Sequence, residues 1–90
     1  RLVDTFIHDS FTRIEAITRG IEAADGPLVA GICHSLKGSS ANLGATHLAS
    51  LCAELEVSAN NGLTDSVEIL RRLEACFDRI RPALSAAFHN

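Results

Sequence analysis

The chain has 90 residues, 47% hydrophobic and 21% charged, with a formal net charge of −3. That is one small foldable domain spanning residues 1–90, too short to bury more than about 60% of the surface its unfolded chain exposes. Little interior is left for a cofactor or a deep substrate pocket. The acidic balance, the single lysine and the absence of Trp and Tyr argue against nucleic acid and anionic membranes as partners. No apolar run approaches the ~18 residues of a membrane span, and no signal peptide is legible. The expectation is a cytoplasmic monomer without direct membrane contact. The chain starts at Arg1, not Met, so it reads as cut from something longer, where any membrane anchor would lie. Cys33, Cys52 and Cys76 are odd in number and lack a CxxC spacing, which excludes a disulfide framework and a four-ligand zinc site. They read as buried, reduced, small hydrophobes.

Strand-like alternation is nearly absent, and the helical period is clear. In the first helix Val3, Ile7, Ile14, Ile17 and Ile21 form an apolar seam flanked by Phe6 and Phe11, opposite Asp4, Arg13, Glu15 and Arg19. Asp25-Gly26-Pro27 ends it, with Gly at the C′ position and Pro in the first turn of the next helix. The second helix runs from about Pro27 to Leu43, and Gly44 breaks it. A third, from about Ala45 to Ala59, aligns Leu48, Leu51, Cys52, Leu55 and Ala59. Asn60-Asn61-Gly62 is a turn signal, and Thr64 or Asp65 can cap the last helix. That helix carries Ile69, Leu70, Leu73, Phe77, Ile80, Leu84 and Phe88 on one stripe, with Pro82 on the polar side. Four amphipathic helices joined by loops of two to five residues predict an all-α, antiparallel up-down-up-down four-helix bundle.

The second helix carries the chemistry. At about 100° per residue, Leu28, Val29, Ile32, Cys33, Leu36, Ser40 and Leu43 gather as its core face, and His34 points away. Around His34 the outer surface is Ala30, Gly31, Lys37, Gly38 and Ala41, where a solvated face would carry long polar side chains. Two glycines inside a helix cost roughly 1 kcal/mol each relative to alanine. Close approach of another macromolecule to His34 would offset that cost, since Gly38, one turn on, leaves the imidazole uncovered. A neutral exposed imidazole is a competent nucleophile near pH 7, and Lys37 at i+3 stands ready for an anion on the ring. A phosphoryl group fits best.

No other constellation competes. His8, His47 and His89 sit in no comparable setting, and no histidine spacing builds a metal site. Cys33 and His34 are adjacent and diverge by about 100°, so a thiol–imidazole pair is not built. Asp4, Asp9, Glu15, Glu22, Glu54 and Glu56 read as solvated charges; Glu54 and Glu56 lie about 200° apart and form no carboxylate pair. Ser35, Ser39, Ser40 and Asn42 read as local hydrogen-bonders, a buried serine pairing with its i−4 carbonyl.

The run His34-Ser35-Leu36-Lys37-Gly38-Ser39-Ser40-Ala41-Asn42-Leu43-Gly44-Ala45, followed by Leu48 and by Cys52-Ala53-Glu54-Leu55-Glu56, closely resembles histidine-containing phosphotransfer (HPt) domains, the relay modules of multistep two-component signalling. The resemblance is strongest over about 25 residues, and the four-helix layout extends it over the chain. It implies that His34 is the phosphoacceptor, reacting through Nε2, that Lys37 balances the phosphate charge, and that Gly38 admits the partner. Ser39, Ser40 and Asn42 would settle the helix and its turn, and Gly44 the break that follows. Ala30, Gly31, Gly38 and Ala41 would form the docking surface. The implied partners are response-regulator receiver domains, which would supply the aspartate, the Mg²⁺ and a catalytic lysine.

No Walker loop, nucleotide-binding glycine run or carboxylate cluster for Mg²⁺ is present in the sequence, so no autonomous catalysis, metal or cofactor is expected of this domain. The Ser-Ser-Ala-Asn-Leu-Gly-Ala run looks most like relay modules that stand alone or are tethered to a hybrid sensor histidine kinase. Two alternatives stay open: the phosphotransfer domain of a chemotaxis-type kinase, and an interaction bundle that docks a partner through the same face without phosphate.

Overall fold

The structure, a computed structural model, describes residues 2–88, the side chain of residue 88 excepted. Four helices follow one another: α1 (Leu2–Glu22), α2 (Gly26–Leu43), α3 (Thr46–Ala59) and α4 (Ser66–Phe88). Each packs on two neighbours, α1 on α2 and α4, and α3 on α2 and α4. Short connections make sequential helices antiparallel, so the chain is the expected up-down-up-down four-helix bundle. No helix is long and apolar enough to cross a membrane among the described residues.

The connections explain the boundaries. Ala24, in the left-handed region at φ 54°, closes α1, with Asp25 N bonded to Gly20 O at 2.9 Å and Ala24 N to Ile21 O at 3.0 Å. This pairing is a Schellman motif, made here by alanine and not by the glycine expected for it. Gly26 lies inside α2 instead, where a Cβ would stand 2.6 Å from the Ala59 carbonyl oxygen. Close approach to the end of α3, and not a turn, demands glycine there. Asp25 is the N-cap of α2, its carboxylate accepting from Leu28 N at 3.2 Å. Gly44, at φ 86°, ends α2 in a second Schellman pair to Ala41 O and Ser40 O. The last connection, residues 60–65, is six residues long, one more than expected, and Leu63 folds back from it onto the core. Thr64 does not cap α4; its hydroxyl donates to Asn61 O at 2.8 Å, back into the loop.

The core is continuous, from Phe6, Ile14 and Ile17 through Val29, Cys33 and Leu36 to Leu48, Leu51, Cys52, Leu55, Leu73 and Phe77. The α3 stripe is buried throughout as expected. Two positions differ on the other helices. Ser10 is buried where Phe11, its neighbour, is 49% exposed. Leu28 is 48% exposed, because adjacent helical residues diverge by about 100° and Val29 takes the buried place against Gly20. On α4, Ile80 and Leu84 are half-buried, while the side chain of Phe88 and all of His89 lie outside the described residues. The helix runs through Pro82, which is exposed. All three cysteines are buried and free.

Candidate functional site

His34 stands midway along α2, its side chain 70% exposed. The surface around it is as bare as the sequence suggests. Gly31 and Gly38 have nothing within 4 Å of the point where a Cβ would sit, Ala41 is exposed and Ala30 half-buried. Lys37, one turn after His34, lies on the same side of α2 and faces the seam with α3. There its Nζ meets Oε1 of Glu56 at 3.0 Å, while Oε2 of the same carboxylate approaches His34 Nδ1 at 3.3 Å. One α3 carboxylate therefore bridges the imidazole and the lysine.

This overturns the reading of Glu56 as a solvated charge. Glu56 is only 23% exposed, and the Lys37 hydrogen bond, with a smaller contribution from His34, holds its carboxyl below the ordinary carboxylate value against the opposing effect of burial. The sequence does carry a signal for it: Glu56 lies four residues after the buried Cys52, at the edge of the α3 stripe, on the seam toward which His34 and Lys37 lean. Glu54 faces the other way and pairs with Arg72 of α4 at 2.7 Å.

An ionised carboxylate only accepts hydrogen bonds, so the Nδ1 position beside Glu56 favours the proton. The neutral ring then carries its lone pair on Nε2, on the side of the ring remote from α3. Such an arrangement presents a nucleophilic nitrogen in an uncovered patch, with an ammonium group one turn away. Cys33 contributes nothing to it. Burial, above all, pushes its thiol up to about 12, and Cys52 likewise, so both are protonated packing groups.

The remaining expected residues divide by role. Ser39 donates to Ser35 O at 3.2 Å and accepts from Arg13 Nη1 at 3.4 Å, tying α2 to α1. Arg13, expected on the polar face, is accordingly half-buried. Ser40 is fully buried, and its hydroxyl has no hydrogen-bond partner among the described residues, so the expected i−4 bond is made by Ser39 and not by Ser40. Asn42 is exposed and Gly44 caps the helix. His8 and His47 are exposed away from the patch; His47 Nδ1 lies 3.8 Å from the Cys76 sulfur.

The Hpt domain family model matches residues 1–83. This chain belongs to the Hpt domain family. Histidine-containing phosphotransfer protein B from Pseudomonas aeruginosa PAO1 has a similar solved structure, with a TM-score of 0.92 at 34% sequence identity, covering 96% of this chain and 76% of that one. No curated protein matches the chain in sequence. The Hpt domain described here is a phosphorelay histidine phosphotransfer intermediate, and Hpt domains work with response-regulator receiver domains and kinases in such relays.

Proposed function

We propose that His34 is the phosphoacceptor of this Hpt domain and that it exchanges its phosphoryl group with the aspartate of a receiver domain. The observation that carries this reading is the contact between Glu56 and His34 Nδ1, on a ring whose surroundings are trimmed to Gly31, Gly38 and Ala41. In the forward step the Nε2 lone pair attacks phosphorus, and the bond from phosphorus to the aspartyl oxygen breaks. The aspartate leaves as a carboxylate with the electron pair. Because Nδ1 keeps its proton, the ring gains positive charge as the new P–N bond forms, and the Glu56 carboxylate opposite Nδ1 stabilises that charge. Lys37 would turn from Glu56 toward the phosphoryl oxygens. The reverse step returns the group to a receiver.

In this reading the domain itself holds no cofactor, and the receiver supplies Mg²⁺ to neutralise phosphoryl charge. Ala30, Gly31, Gly38 and Ala41 form the surface on which the receiver settles. The test is intact-mass analysis after mixing the domain with a phosphorylated receiver and Mg²⁺, beside His34→Gln. One acid-labile phosphoryl adduct on the native chain and none on the variant supports the assignment. An adduct that survives in His34→Gln contradicts it, and no adduct with any of several receivers leaves an interaction bundle.

A further inference from the structure

On the α1 side of the His34 patch runs a shallow groove of about 350 Å³. Its walls include Arg13 and Ala16 of α1 and Leu28, Gly31, Ile32 and Ser35 of α2. Leu28 forms a half-exposed apolar lip, lying over Gly20, where a Cβ would stand 3.6 Å from Leu28 Cδ2. Gly31 keeps the groove open, with free space where its side chain would be. The groove is continuous with the patch: Gly31 is one turn before His34, and Ser35 directly follows it. A macromolecule that reaches Nε2 from the α1 side covers this groove too.

Of the residues that line it, Arg13 alone is charged. From Gly26 to Leu43, α2 carries no acidic residue, and its one cation, Lys37, is engaged by Glu56. Arg13 stands on the rim with its guanidinium bonded to a neutral partner, the Ser39 hydroxyl. An aspartyl-phosphate site that binds a divalent cation is built from carboxylates, so its surroundings are negative and complement Arg13.

We infer that this groove is a specificity pocket: it receives an apolar side chain of the receiver domain docked over His34, with Arg13 facing the acidic surround of the receiver's aspartate. The inference rests on the assignment of His34 above. An apolar anchor in a pocket beside the reacting group discriminates between receivers that share the same chemistry, because a receiver lacking the anchor loses the burial while keeping the phosphate. Leu28 and Ala16, on the two walls of the groove, are the specificity-determining positions, and neither touches the reacting atoms.

Two readouts separate docking from chemistry. Phosphoramidate, a small phosphoryl donor, labels the imidazole without needing the groove, whereas transfer from a phosphorylated receiver with Mg²⁺ needs both. In Leu28→Ala and in Ala16→Leu, phosphoramidate labelling should stay within about twofold of native, while transfer from a receiver competent with the native chain falls about tenfold. Arg13→Ser should slow the same transfer and flatten its dependence on salt. Receiver transfer that stays within about twofold of native in both Leu28→Ala and Ala16→Leu overturns the proposal. So does labelling that falls in parallel with transfer, since the loss then lies in His34 or the fold. A native chain that phosphoramidate fails to label at His34 removes the phosphoacceptor assignment, and the pocket with it; native labelling with unaffected variants removes the pocket alone.

Discussion

Glu56 of α3 reaches across the helix seam to within 3.3 Å of His34 Nδ1, and its second oxygen holds Lys37 at 3.0 Å. A histidine exposed to 70% would otherwise be free to choose its tautomer and rotamer. The carboxylate restricts both, and it ties the imidazole to the one lysine of the chain.

Glu56→Gln should therefore weaken the preference for the proton on Nδ1 and slow phosphoryl acceptance by roughly tenfold, the lower end of what supporting hydrogen bonds to a functional histidine contribute. Nitrogen-resolved NMR of the imidazole reads the tautomer, and the rate is read by transfer from a receiver. An unchanged tautomer ratio with an unchanged rate contradicts the positioning role.

Gly38 has open space above it, one turn beyond His34. Gly38→Leu should raise helix stability by up to about 1 kcal/mol, since leucine is far the better helix former, and should still block transfer from a receiver. Melting temperature and transfer are measured on the same sample. Transfer at the native rate would show that no partner approaches over this position.

The acid limb of stability carries a sign set by Glu56. Its carboxyl is depressed in the folded chain, chiefly by Lys37, so its contribution is complete above the unfolded glutamate value of about 4.3 and disappears as pH falls through the folded value. Melting temperature should drop more steeply below about pH 4 in the native domain than in Glu56→Gln. Lys37→Ala should shift that limb upward in pH. Identical acid profiles for all three proteins would show that the bridge contributes nothing in solution.

Cys33 and Cys52 carry the opposite sign. With thiols pushed up to about 12, their neutral burial is fully favourable below the unfolded thiol value of about 8.5 and is lost as pH rises toward the folded one. An aromatic disulfide reagent at pH 8 should leave the native thiols unmodified and titrate all three after denaturation. Rapid reaction of the folded protein would contradict the packing described.

Helical periodicity alone marks the α3 core face, because all five of its expected residues are buried. It also marks the outward face of α2, where Gly31 and Gly38 have open space above them. What the sequence leaves illegible depends on the spacing between helices. Glu56 lies on a different helix from His34, and only the α2–α3 packing brings their side chains together. Gly26 has the look of a turn residue, yet the Ala59 carbonyl is what excludes a side chain there. Leu28 fits the apolar period, and only its neighbour Val29, seated against Gly20, leaves it at the surface.

The most direct measurement is phosphorus–nitrogen correlation NMR on the phosphorylated domain, which identifies both the histidine and the ring nitrogen that carry phosphate. The account predicts a single phosphorylated site, Nε2 of His34, with Nδ1 still protonated beside Glu56. Phosphate on Nδ1 of His34, or on His8 or His47, would contradict it.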